Sequence, residues 1–215
     1  MNTEKNRDLI LASRSPRRAD LLREAGYDFQ IYFPVHQEDP IQKEEPPEEY
    51  VRRLALHKAE ECVQFLPQCG HSKIILACDS LAVCKKEILG KPKDEEDARR
   101  MLRLLSDSVH YVHTGLCLIR KDPDREIRRL TVDSTRLKMD SLSEQTIEDY
   151  IASGLWREKA GAFGYQDGND WLHIESGSAS NVVGLPMELF QKLYQELLQI
   201  PQTPDCRTSN HEPEK

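Results

Sequence analysis

The amino-acid sequence predicts an α/β protein built on a mixed, twisted sheet flanked by helices. Two observations carry this. In the first half, apolar runs of strand length alternate with amphipathic helical segments, the pattern of strands joined by helical crossovers. In the second half, residues 109–119 and 127–139 are two strand-like runs joined by the polar turn Lys121-Asp122-Pro123-Asp124, which reads as an antiparallel hairpin. The 215 residues suffice to bury a sizeable core. Residues 8–200 are read as a single domain and residues 201–215 as a polar, disordered tail.

Residues 9–12 are apolar and predict a buried strand, followed by Ser13-Arg14-Ser15-Pro16. Ser15 as N-cap with Pro16 at the first helical position is a strong helix start. That helix should run to Ala25, with Leu21, Leu22 and Ala25 facing inward and Gly26 ending it. Residues 29–35 read as a second strand. Pro46-Pro47 opens a helix over residues 48–65 with the apolar stripe Val51, Leu54, Ala55, Cys62 and Phe65. Lys58 lies on that stripe, where a lysine must snorkel or find an anionic partner.

The most apolar run, residues 74–78, predicts a strand ending at Asp79-Ser80. Gly90-Lys91-Pro92 reads as a turn. Asp94 should cap a helix burying Ala98, Met101, Leu102 and Leu105, and Ser143 a helix ending near Gly154. Residues 160–164 are small and turn-forming, residues 171–174 a short strand, and residues 177–181 a polar loop. Pro186 opens a last helix with Leu189, Phe190, Leu193 and Leu197 on one face.

Composition excludes several function classes. A net charge of −7 argues against broad nucleic-acid binding, which needs a basic surface. No apolar run approaches the ~20 residues of a membrane span, and residues 1–8 are too polar for a secretory signal. The six cysteines form no Cys-x-x-Cys pair and read as the reduced thiols of a cytoplasmic protein. The histidines lack zinc-ligand spacing.

Four sets of residues can carry chemistry. The strand–loop–helix at residues 9–25 ends in a helix N-terminus, which attracts phosphate through free N–H groups and the helix dipole. Ser13 and Ser15 add hydroxyls, and Arg14, Arg17 and Arg18 add guanidinium forks that match phosphate oxygens. A solvated basic first turn would look the same. Asp79-Ser80 follows an apolar strand, where a carboxylate can hold a metal or orient water, or simply form a turn. Glu38 follows another strand and would pair with Asp79 as an oxygen ligand set for a hard cation. Lys58 and Lys91 are candidate cations, and Gln166 offers an amide able to read a base edge.

Together these pieces resemble the Maf family of nucleotide pyrophosphatases. The resemblance is carried by Leu11-Ala12-Ser13-Arg14-Ser15-Pro16-Arg17-Arg18, Leu54-Ala55-Leu56-His57-Lys58-Ala59, Ala77-Cys78-Asp79-Ser80 and Gly90-Lys91-Pro92. It continues through His113-Thr114-Gly115, the stretch from Lys159 to Gln166, and Ser180-Asn181-Val182-Val183-Gly184-Leu185-Pro186, all in family order. It implies an elongated fold of two lobes with a central cleft, of the inosine-triphosphate-pyrophosphatase-like kind, and often a homodimer. It implies hydrolysis of a nucleoside triphosphate to monophosphate and pyrophosphate with magnesium or manganese.

On that resemblance Asp79 is the general base, and Ser13, Arg18, Glu38, Lys58 and Lys91 match phosphate and metal positions. Specificity follows the same comparison. One branch, selective for dTTP and UTP, carries Arg, Thr and Gln where this chain has Arg17, Ser80 and Gln166. A second branch, selective for 7-methyl-GTP, carries an aromatic residue, Gln and Glu there. Two of three positions match the first branch, and Ser80 keeps the hydroxyl while losing a methyl. Where the family commonly has Asp-Glu, this chain has Gln37-Glu38. The alternatives are 7-methyl-GTP specificity, or a nucleotide-binding regulator of cell division with little turnover.

Overall fold

The strand β1 (Leu9–Ala12) is buried along its whole length, as its unbroken apolar run requires. It pairs in parallel with β2 (Phe29–Tyr32) on one side and β3 (Lys73–Cys84) on the other. The helices α1 (Pro16–Glu24) and α2 (Pro47–Phe65) make the crossovers. This computed structural model describes residues 8–35, 39–66 and 71–201. Past β3 the sheet becomes antiparallel. β5 (Ser108–Lys121) and β6 (Glu126–Met139) form the expected hairpin, and β7 (Leu172–Ser176) pairs with β6. The seven-stranded order is β2-β1-β3-β5-β6-β7, with the short β4 (Glu87–Leu89) folded back on β3.

The long strands β3, β5 and β6 serve two lobes. In the first, α2 covers one face of the sheet over Ile10, Ile75, Ala77 and Cys117. The other face, with Leu11, Leu76, Leu118 and Phe190, is covered by α1 and the last helix, α6 (Met187–Gln199). The second lobe gathers Leu89, Leu102, Leu137 and Phe163 beneath α3 (Glu95–Leu105) and α4 (Glu144–Ser153). Asp94 and Ser143 cap these helices by accepting from Asp97 N and Thr146 N.

Several boundaries differ from expectation. Ala25 is exposed and the inner face of α1 is Ala19 and Leu22, with Leu21 packed against the same core at its edge, because Gly26 (φ +80°) turns the chain outward one residue later. Phe65 is 60% exposed rather than core, and stacks on Tyr32 at 6.1 Å. β2 stops at Tyr32, three residues early, where β1 also ends. Residues 177–181 are not a loop throughout: α5 (Ala179–Val183) forms there, N-capped by Ser178 and ended by Gly184 at φ +113°. A helix this short leaves no periodic apolar signal. The expectation for the tail falls on residues of which 202–215 lie outside those described.

No helix among the described residues is long and apolar enough to cross a membrane. Cys62, Cys78, Cys84 and Cys117 are buried free thiols. Burial pushes Cys62 and Cys117 up to about 12, too protonated for nucleophilic work.

His110 on β5 is fully buried, with its ring edge-on to Phe163 at 5.1 Å. Neither ring nitrogen has a hydrogen-bond partner of good geometry among the described residues. Burial lowers its pKa to about 4, and a backbone group of Ser108 offsets this only in part. The folded state therefore binds this proton less readily than the unfolded chain. Stability is full above pH ~6.5 and falls as pH drops toward 4, by up to about 3 kcal/mol. Urea midpoints measured at pH 7 and pH 5 should drop further for the wild type than for His110→Phe. Equal drops would show that His110 does not titrate in the fold.

Candidate active site

On one edge, β3 is paired with β1 over residues 74–77 and with β4 over residues 82–84. Among the described residues no strand pairs with residues 78–81 on that side, while β5 pairs with them on the other. Asp79 and Ser80 sit in this gap. They do not end the strand, as the apolar run suggested; the strand continues to Cys84 because its far half enters the second lobe's core. We call this gap, where β3 passes from the first lobe's core into the second's, the notch.

Strand alternation sends neighbouring side chains to opposite faces. Asp79 faces α2, where Lys58 Nζ donates to its carboxylate. The lysine on the apolar stripe thus has an anionic partner, and the two side chains are only 17% and 12% exposed. α2 reaches that position because Gly115, opposite Asp79 in β5, has no side chain. A Cβ there would lie 2.2 Å from the Val51 carbonyl oxygen.

Ser80 faces the other way, toward α1 and α5. Arg18 holds this side together: Nε donates to the Gly184 carbonyl at 2.7 Å, Nη1 to Ser13 Oγ at 3.2 Å, and Nη2 to Ser80 Oγ at 3.0 Å. These acceptors are neutral, so these bonds orient the guanidinium without cancelling its charge. Ser13 Oγ also accepts from Ser15 N at 3.1 Å, which fixes the turn into α1. Ser15 is the N-cap residue by position, but its own side chain makes no cap bond.

Ser80 Oγ is 2.8 Å from Thr114 Oγ1, which donates to the Asn181 carbonyl. Asn181 is fully buried and donates to Val112 O and Thr135 Oγ1, anchoring α5 to the hairpin. Gly184 leaves room for Arg18, since a Cβ there would meet Arg18 Nε at 3.3 Å.

Arg17 and Lys91 meet at Glu158. Arg17 donates to its backbone carbonyl at 3.0 Å, and Lys91 Nζ to its carboxylate at 2.6 Å. Burial, then the charge of Arg18, lowers the Arg17 pKa. The Lys91–Glu158 pair is 64% and 79% exposed, so it exchanges readily with solvent or another anion. Gly161 N donates to the Gly90 carbonyl, tying the Lys91 turn to the late loop. Gln166 is exposed on a short 3-10 turn, Tyr165–Asp167, of that loop.

Arg14 turns to the Pro34 carbonyl at 2.8 Å and so fastens the end of β2 instead of adding to the cations in the notch. Glu38 lies outside the described residues. Sequence reasoning gave no role to Thr114, Asn181, Glu158 or Asp167. Thr114 and Asn181 stood only inside the motifs that carry the resemblance, and Glu158 and Asp167 as acidic residues flanking or within a glycine-rich loop.

The molecule is thus an α/β protein whose sheet brings the buried carboxylate of Asp79 and the cations Lys58 and Arg18 to one stretch of β3. It belongs to the Maf-like protein family, whose model matches residues 8–197. A dTTP/UTP pyrophosphatase of Rhodopirellula baltica is 45% identical over 193 residues, covering 89% of this chain and 82% of that protein. One of Rhizobium etli is 40% identical over 182 residues, covering 83% and 87%. One of Dictyoglomus thermophilum is 37% identical over 193 residues, covering 89% and 96%.

Proposed function

We propose that this protein hydrolyses dTTP and UTP to the nucleoside monophosphate and pyrophosphate. The observation that carries the reading is the pair of adjacent β3 residues that face opposite ways, with Asp79 on Lys58 at one face and Ser80 on Arg18, oriented by neutral acceptors, at the other. The names of the relatives support the substrate class.

On this reading Ser13, Ser15 and Arg18 bind the phosphate chain, and Lys58 and Lys91 offset its charge. Water attacks the α-phosphorus and forms a new P–O bond. The bond from that phosphorus to the α,β-bridging oxygen breaks, and its electrons leave with pyrophosphate. Asp79 accepts the water's proton, while the cations stabilise charge on the leaving group.

A divalent cation fits this site only in part from the protein side. Among the described residues no cluster of three metal-ligating side chains exists. Asp79 offers one carboxylate, and magnesium or manganese commonly binds one or two carboxylates plus substrate phosphates. Such an ion, held by Asp79 and Glu38, would polarise the phosphate oxygens and water. The four buried free thiols among the described residues suit a reducing cytoplasm, and the partner this reading assigns to the site is a nucleoside triphosphate.

Incubation with a panel of triphosphates and magnesium should give monophosphate and pyrophosphate, fastest with UTP and dTTP. Release of single phosphate, or preference for 7-methyl-GTP in direct competition with UTP, would overturn the assignment. On the family resemblance Arg17 selects the base together with Ser80 and Gln166, and its bond to a neutral backbone carbonyl leaves its charge uncancelled. Arg17→Trp should change the UTP to 7-methyl-GTP ratio of kcat/KM by about 10-fold or more with little loss of stability. An unchanged ratio would remove Arg17 from base selection.

A further inference from the structure

The late loop is closed on itself by a polar clamp that none of the site contacts requires. Lys159 Nζ donates to both carboxylate oxygens of Asp167, each at 2.5 Å. The two side chains are 12% and 8% exposed, so this pair is shielded from water far more than Lys91–Glu158. The Tyr150 hydroxyl, from α4, donates to Asp167 and accepts from Gly164 N at 3.2 Å. Its ring is fixed edge-on to Trp171 at 5.6 Å.

Gly164 lies directly over the pair. A Cβ there would meet Asp167 Oδ2 and Lys159 Nζ, each at 2.5 Å. Lys159 and Asp167 therefore tie the two ends of residues 159–167 together, and Gln166 is next to the knot. The loop is also the one that presents Glu158 to Arg17 and Lys91. The charge of Asp167 reaches Arg17 as well.

We propose that Asp167 is a positioning residue for nucleobase choice: clamped by Lys159 and Tyr150, it fixes the turn that carries Gln166 and so the direction in which its amide is presented. This rests on the reading of Gln166 as the base-facing amide. The chemistry of uracil and cytosine makes orientation decisive. Uracil presents a carbonyl acceptor and a ring N–H donor where cytosine presents an amine donor and a ring nitrogen acceptor. A glutamine amide held still satisfies one pattern and leaves buried groups unpaired against the other. A glutamine free to rotate its amide satisfies both.

The test is steady-state kcat and KM for UTP and CTP in the wild type, Asp167→Asn, Tyr150→Phe and Gln166→Ala. Tyr150→Phe deletes one hydroxyl and keeps the ring on Trp171, so it guards against a fold lost in Asp167→Asn. The expected result is a fall of about 10-fold or more in the UTP to CTP ratio of kcat/KM in both clamp variants. It should arise in KM, with kcat for UTP kept within about threefold, and Lys159→Arg should keep most of the preference. A Gln166→Ala variant that loses the preference while both clamp variants keep it overturns the clamp and leaves the base reading standing. Equal losses in kcat for both substrates make the clamp merely structural and also overturn it. A wild type without preference for UTP over CTP overturns the base reading itself.

Discussion

Asp79→Asn should lower kcat for UTP by about 1000-fold, with KM changed by no more than about threefold. Asparagine matches the carboxylate in shape and can still accept from Lys58, so the lobes and the notch should survive. It cannot take up a proton, and its neutral oxygen holds a cation poorly, so it loses both roles proposed for Asp79. The change also removes the charge of Asp79 from beside the Lys58 ammonium, which is 17% exposed. Some stability is lost for that reason, and Lys58→Met in the same chain should recover it without recovering turnover. Single-turnover kinetics with UTP, set beside thermal melts of the single and double variants, separate the two effects. Turnover within tenfold of wild type would remove Asp79 as the base.

The alternation of apolar runs and amphipathic segments made the layered mixed sheet legible, because burial on both faces leaves a continuous apolar signature at β1 and the first half of β3. The strand continuing beyond Asp79 was not legible. Residues 79–84 mix polar and apolar side chains, since they cross from one lobe's core into the other's. The short α5 was hidden because one helical turn capped by Ser178 has the composition of a loop. The site was legible in its parts, through a Ser-Arg-Ser-Pro helix start, a lysine on an apolar stripe and a carboxylate after an apolar strand. Its connections were not. That Lys58 meets Asp79 while Arg18 meets Ser80 on the opposite face depends on the sheet register. Nothing local to Asn181 or Thr114 announces that both are buried beneath that contact.

Gly115→Ala should destabilise the protein by about 3 kcal/mol, or roughly 6–12 °C in Tm for a chain of this size. The added Cβ would lie 2.2 Å from the Val51 carbonyl oxygen, 2.5 Å from its carbon and 2.7 Å from Arg52 N. All three are backbone atoms, so no side chain can rotate away. α2 must lift off β5 or bend, and its buried contacts at Val51, Leu54 and Ala55 loosen with it. The same helix carries Lys58, and Gly115 lies opposite Asp79 in the sheet, so the displacement falls on the Lys58–Asp79 pair itself. A catalytic group displaced by ~1 Å can cost 100-fold in rate. The fraction of Gly115→Ala that remains folded should therefore also turn over UTP at least about tenfold more slowly. Urea unfolding should show a lower midpoint at unchanged slope, and activity measured far below that midpoint isolates the effect on the site. A variant with native midpoint and native kcat would mean that α2 approaches the sheet less closely than these distances require.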